Sequence, residues 1–211
     1  MAEALSEPII VMGKGVPAYS TKFGCLTYCI AGLNMKGHWL RLYPLFLERV
    51  IASINYIQEF DVIRVIYVNK KPESNRPESR KILPESIEII GHVKKEKQLE
   101  ILERFSEPGE FLHNDSWDGV KTLGMINPLD SAFFIDKGVP KVKFKCSSSC
   151  KGHLCEIGEI MKYDSVGRTI VQKDHLLEEK LSRFKDKSLR FVMGTIRRHP
   201  SRWLLISIHT L

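Results

Sequence analysis

Short stretches of alternating apolar and polar residues fill this chain, and glycine, proline and asparagine separate them. The apolar run Ile9–Met12, after Pro8 and before Gly13, Gly15 and Pro17, predicts a first strand. From Lys22 to Leu33, Phe23, Cys25, Thr27, Cys29 and Ala31 share one face. Asn34–Gly37 reads as a turn and His38–Tyr43 as the returning strand, with Trp39, Arg41 and Tyr43 on one side and His38, Leu40 and Leu42 on the other. Helical spacing follows over 44–60 through Leu47, Val50, Ile51, Ile54 and Ile57. Asp61–Val68 and Ser86–Val93 predict further strands. Between them, residues 70–84 are polar and broken by Pro72, Pro77 and Pro84, which predicts neither regular helix nor central strand.

Lys95–Phe105 predicts a short amphipathic helix ended by Pro108 and Gly109. A loop anchored by Trp117 runs to Pro128, and extended character resumes over 133–145 around Gly138. Glu156–Tyr163 predicts one or two helical turns. Lys173–Lys187 predicts a longer helix with Leu176, Leu177, Leu181 and Phe184 as its inner stripe. Leu189–Ile196 and Arg202–His209 read as a closing strand pair. Many short strands with few helices predict an α+β, β-rich fold of small barrels or a mixed sheet. Gly13-x-Gly15 lacks a third glycine and a following helix, so no dinucleotide site is expected there.

Composition adds direction. At 43% hydrophobic and 27% charged residues the 211-residue chain is globular, and no apolar run is long enough to span a bilayer. The start MAEALSEP lacks a basic n-region and an apolar h-region, so no secretory signal is expected. Five cysteines, four of them at C-x3-C or tighter spacings, favour reduced thiols and metal over disulfides and predict a cytoplasmic protein. The formal charge is +7, and residues 141–202 hold 15 Lys/Arg against 7 Asp/Glu. Such a field attracts phosphates. The change in composition near 138 suggests a β-rich domain over 1–137 and a basic part over 138–211 that closes the fold.

That basic part carries Cys146, Cys150, His153 and Cys155 in C-S-S-S-C-K-G-H-L-C. Three thiols and an imidazole suit a tetrahedral metal site, with zinc first and an iron–sulfur cluster second. Four protein ligands would make the metal structural. The radical-enzyme spacing would need a cysteine in place of His153, and the deaminase signatures H-x-E and P-C-x-x-C are absent. Ser147, Ser148 and Ser149 read as turn residues. Cys25 and Cys29 repeat the C-x3-C spacing and read as small core residues, with completion of a distant site as the alternative.

Other candidates are spread along the chain. Trp39, Arg41 and Tyr43 on one strand face could stack bases and hold a phosphate. Arg76 and Arg80, with Glu78 between them, could bind phosphates bidentately. Arg197, Arg198 and Arg202 surround a basic turn. Glu156 and Glu159, after His153, are the catalytic candidates if the metal keeps an open position. His113, Asp115 and Asp118 form a second polar group.

The sequence resembles uncharacterised archaeal and bacterial proteins described as containing a dual OB domain. The matching features are a first strand ending near Lys14, C-I-A-G at 29–32, G-H-W-L-R-L-Y-P at 37–44, N-R-P-E-S at 75–79, C-x3-C-K-G-H at 146–153 and F-V-M-G at 191–194. The resemblance implies OB-like barrels, which generally bind single-stranded nucleic acid or oligosaccharide, and the fold expected is OB-like barrels with interleaved short helices and a small metal-clipped segment. It supports Cys146, Cys150 and His153 as ligands and gives Cys155 no counterpart. An acidic segment after the histidine belongs to the pattern, with Glu159 the nearest match.

Together these features predict a protein that binds single-stranded or structured DNA or RNA, with a structural metal. A metal-dependent nuclease or nucleotide-modifying hydrolase, and an RNA-binding module of the pseudo-barrel (PUA-like) type, are the alternatives.

Overall fold

A computed structural model describes residues 4–46, 57–69, 76–113, 121–160, 162–163, 169–170, 172, 174–196 and 199–211. The strands in chain order are β1 (Ala4–Leu5), β2 (Ile9–Lys14), β3 (Ala18–Ser20), β4 (Cys25–Asn34), β5 (Trp39–Phe46), β6 (Asp61–Asn69) and β7 (Ser79–His92). Helix α1 (Lys95–Arg104) and a 3-10 turn at Gly109–His113 follow. Next come β8 (Leu123–Ile126), β9 (Leu129–Asp136), β10 (Val139–Lys145), β11 (His153–Glu156), a 3-10 turn at Gly158–Ile160, β12 (Lys162–Tyr163) and β13 (Thr169–Ile170). Helix α2 (Asp174–Ser182), β14 (Leu189–Ile196) and β15 (His199–Thr210) end the chain.

Strands β2, β4, β5, β7 and β6 close on themselves. β2 pairs with β4, β4 with β5, β7 with β6 and β6 with β2, all antiparallel, while β5 and β7 run parallel. Numbered within the barrel, the order is first, second, third, fifth, fourth and back to first, the Greek-key closure of an OB-like barrel. Alternation fills it. Ile9 and Val11 point inward beside Ile30, Leu42 and Ile63. Ile10 and Met12, on the other face of β2, pack against Leu123, Met125, Val192 and Ile206. Strand β2 is therefore buried on both faces, which explains its continuous apolar run.

In the C-terminal half, β9 pairs with β10 through the turn at Gly138, β10 with β11, β15 with β14, and β14 with β8, all antiparallel. A parallel bridge joins Ile157, just after β11, to Leu205 of β15. Phe144, Ile157, Leu181, Phe184 and Phe191 form its core.

Several expectations change. Pro44–Phe46, placed in a helix from the sequence, complete β5, and 47–56 lie outside the described residues. Ser79–Pro84 belong to a strand after all. The ladder slips between Arg64↔Glu88 and Ile66↔Leu83, and Ser86 Oγ accepts the Ile66 N–H at 2.8 Å. This irregularity accommodates Pro84, which has no N–H to give. Over 156–163 the described residues form a 3-10 turn at Gly158–Ile160 with strand residues on either side. On α2, Leu177 and Leu181 are buried, as is Phe184 beyond its end, but Leu176 is 43% exposed. Trp117 lies outside the described residues. Among the described residues no helix is long and apolar enough to cross a membrane.

Candidate metal centre and charged surfaces

The turn between β10 and β11 holds Cys146 and Cys150, and His153 opens β11. Cys150 N–H donates to the Ser147 carbonyl at 3.2 Å, and Gly152 N–H donates to Cys150 Sγ at 3.2 Å. Gly152 has φ +110°, the left-handed region that suits glycine. The fourth member is His113. Its Nε2 lies 3.0 Å from Cys146 Sγ, and His153 Nε2 lies 3.3 Å from the same sulfur. The ligand atoms of His113, Cys146, Cys150 and His153 all lie within 4.8 Å of one another. Tetrahedral zinc with two sulfur and two nitrogen ligands needs donor atoms about 3.3–3.8 Å apart, so this set fits.

Local packing explains how His113 arrives. A Cβ on Gly109 would stand 2.3 Å from Cys146 Cβ. Only a residue without a side chain lets the Gly109–His113 turn approach so closely. His153 stacks on Phe144 with ring centroids 5.2 Å apart, which fixes its plane.

Electrostatics suit a cation. Burial, with the Cys150 thiol beside it, pushes the Cys146 thiol up to about 11, so a positive ion is needed to remove that proton at neutral pH. Burial raises the Cys150 thiol too, but backbone N–H groups at Cys146, Gly152 and Ser147 outweigh it and leave the thiol below its usual value. Burial, and secondarily His113, holds His153 low, in the neutral form that ligates.

Cys155, expected in the set, is outside it. It shares the inward face of β11 with His153 but lies two residues further along the strand, about 6.7 Å away. Its thiol donates to the Trp203 carbonyl at 3.8 Å. Glu156 faces the other way, opposite Lys141. Glu159 accepts from Arg183 Nη2 at 2.6 Å, Ile208 N–H at 3.0 Å and Ser207 Oγ at 3.1 Å. Neither carboxylate belongs to the Cys/His group. Cys25 and Cys29 are half-buried on β4 and also lie outside it. Asp115 and Asp118 lie outside the described residues.

The aromatic and arginine candidates divide differently. Trp39 and Arg41 do lie on the outer face of the first barrel, but that face is covered by the C-terminal half. Trp39 is 7% exposed and donates from Nε1 to Glu107 at 3.2 Å. Arg41 is 4% exposed and donates to Thr122 Oγ1 at 3.1 Å and to the Thr122 carbonyl at 2.7 Å. Glu78 accepts from Thr122 N–H at 2.8 Å and Thr122 Oγ1 at 2.7 Å. Arg76 donates to the Thr195 carbonyl at 2.5 Å. Trp39, Arg41, Arg76 and Glu78 thus form a polar seam between the halves. Tyr43 is half-buried, 3.3 Å from Thr27 Oγ1. Arg80 is half-buried and donates to the Pro77 and Ser79 carbonyls. Arg197 and Arg198 lie outside the described residues, and Arg202 sits on β15 with its side chain undescribed.

A basic surface missed in the sequence lies on β10. Val142 and Phe144 point into the core while Lys141, Lys143 and Lys145 point out. Across the ladder, Lys141 neighbours Phe134 and Glu156, and Lys143 neighbours Ala132 and Leu154. Phe134 is 39% exposed and Leu154 60%. Strict Lys-x-Lys-x-Lys alternation over 141–145 was the signal available.

A profile for a domain of unknown function, DUF8758, matches residues 6–106, which span the first barrel and α1. No curated protein sequence matches the chain. Among solved structures, the p204 HINb domain aligns at TM-score 0.37 and 8% identity over 97% of this chain and 96% of that one. A replication protein A heterotrimer bound to single-stranded DNA aligns at 0.39 and 11% over 92% and 44%. The p202 HIN1 domain in complex with a 12-mer double-stranded DNA aligns at 0.37 and 9% over 100% and 96%. At such scores the alignments carry no argument about activity, and the fold rests on the strand order itself.

Proposed function

We propose that this protein binds single-stranded nucleic acid through the outer face of the β9–β10–β11 sheet, with a structural zinc holding that face in shape. The lysine row on β10 carries the proposal: three cations at alternate positions beside an exposed phenylalanine and an exposed leucine. Lysines neutralise backbone phosphates and release counterions, while apolar and aromatic groups take the faces of unstacked bases. Lys141 pairs with Asp136 at 2.6 Å and Lys145 with Asp130 at 3.2 Å. The Lys145–Asp130 pair is exposed on both sides, and such pairs contribute little to stability and exchange readily for phosphate, while Lys141 is half-buried. No carboxylate among the described residues pairs with Lys143.

The metal set supports a structural role, since two thiols and two imidazoles complete a tetrahedron and leave no vacant position. His113 would tie the connector after α1 to the β10–β11 turn, which begins where the lysine row ends. We further read β8 and β9 together as one interrupted first strand of a second OB-like barrel. Its order, β9–β10–β11, then β15 by the Ile157–Leu205 bridge, then β14 and back to β8, repeats that of the first barrel. On this reading the division between barrels falls between 106 and 121.

Fluorescence anisotropy with labelled 20-mer DNA and RNA tests the proposal. Binding that Lys143→Glu weakens supports it, and binding indifferent to that change removes it.

A further inference from the structure

A cleft of about 710 Å³ opens beside the first barrel, and no β10 residue lines it. The β4–β5 turn, the end of β6, the start of β7, the residues after α1 and Lys121 wall it. Three carboxylates line it, and each is supplied with donors. Glu7 accepts from Asn34 Nδ2 at 2.7 Å, Glu78 from Thr122, and Glu107 from Trp39 Nε1 and Lys121 Nζ.

Two guanidinium groups also line the cleft, those of Arg80 and Arg104. Arg80 Nη1 donates to the Pro77 and Ser79 carbonyls at 2.7 and 2.9 Å, which fixes the group without cancelling its charge. Arg104 lies over the Phe105 ring at 5.2 Å. No carboxylate among the described residues pairs with either arginine. Their remaining N–H donors are suited to phosphate oxygens. Tyr67 also lines the cleft, whose volume falls in the range of small-molecule sites.

We propose that this cleft binds a nucleoside phosphate, with the phosphate between Arg80 and Arg104 and the base against Tyr67. A free mononucleotide and the phosphorylated end of a strand share this chemistry. The site is separate from the lysine row, so either proposal can fail alone.

Calorimetry with adenosine 5′-monophosphate, adenosine and inorganic phosphate reads the site on the full-length protein. The monophosphate is expected to bind about tenfold or more tightly than adenosine, and Arg80→Gln or Arg104→Gln to weaken it about tenfold. Melting temperature verifies that these exposed or half-exposed changes leave the fold intact. Lys143→Glu is expected to leave the monophosphate unaffected. A 5′-phosphorylated 10-mer that binds better than its unphosphorylated form, with the difference lost in Arg80→Gln, assigns the site to strand ends. A preference for the monophosphate alone assigns it to free nucleotides. Absence of binding by both the monophosphate and the phosphorylated 10-mer overturns the proposal. So does binding that ignores both arginine changes.

Discussion

The Nε2 of His113 lies 3.0 Å from the Sγ of Cys146, although 33 positions separate the two residues. A ligand from the connector thus meets two cysteines from the β10–β11 turn and the histidine that opens β11. An ion held there closes a loop between two elements that share no strand pairing.

Zinc should bind with a stoichiometry of one per chain. His113→Ala and Cys146→Ser should each release it, as read by elemental analysis of purified protein. At free zinc a thousandfold above its Kd, the ion stabilises the fold by about 4 kcal/mol. A chelator should lower the melting temperature of the wild-type protein and leave that of Cys146→Ser unchanged.

Cys155→Ala separates geometry from spacing. It should keep its zinc and lose only about 1 kcal/mol from the core it helps to fill. Loss of zinc in this variant would show that the ligand set is wrong.

Arg41→Met tests the seam. It removes both guanidinium donors to Thr122, whose Oγ1 and N–H in turn donate to Glu78. Chemical denaturation should show a loss of roughly 2–4 kcal/mol. Strand binding by the folded fraction should persist, because Arg41 is buried away from the β10 surface.

Glu159 gives the protein a pH dependence of known sign. Burial, and then the Glu59 carboxylate, raises its pKa in the folded state above the usual value. The folded protein therefore holds this proton to higher pH than the unfolded chain does. Stability from this residue is greatest at low pH and falls as pH rises from the ordinary glutamate value, about 4.3, through the raised folded value. Glu159→Gln keeps an acceptor for the Ile208 N–H and should flatten that slope. An unchanged stability–pH curve would contradict the assignment.

Much of the fold was legible because its strands are short and patterned. The β4–β5 hairpin and the β14–β15 pair follow directly from alternation and turn residues. Cys146, Cys150 and His153 were legible because one short segment contains them all. His113 was not, since its place depends on Gly109 meeting Cys146, a contact between distant segments. Trp39 and Arg41 were assigned to the correct face, but alternation does not reveal whether a face meets water or another half of the chain. Pro84 closes a stretch whose prolines argue against a central strand, yet β7 runs through it with a bulge. The lysines on β10 were counted as charge, and their shared direction became meaningful only once Val142 and Phe144 were seen to fill the core.

Affinity for a single-stranded 20-mer as a function of salt tests the central proposal most directly. If Lys141, Lys143 and Lys145 each neutralise one phosphate, log K should fall against log salt with a slope of about −2. Replacing all three by glutamine should weaken binding at low salt and bring that slope close to zero. Affinity that is flat with salt, or a slope that survives the triple replacement, would contradict it.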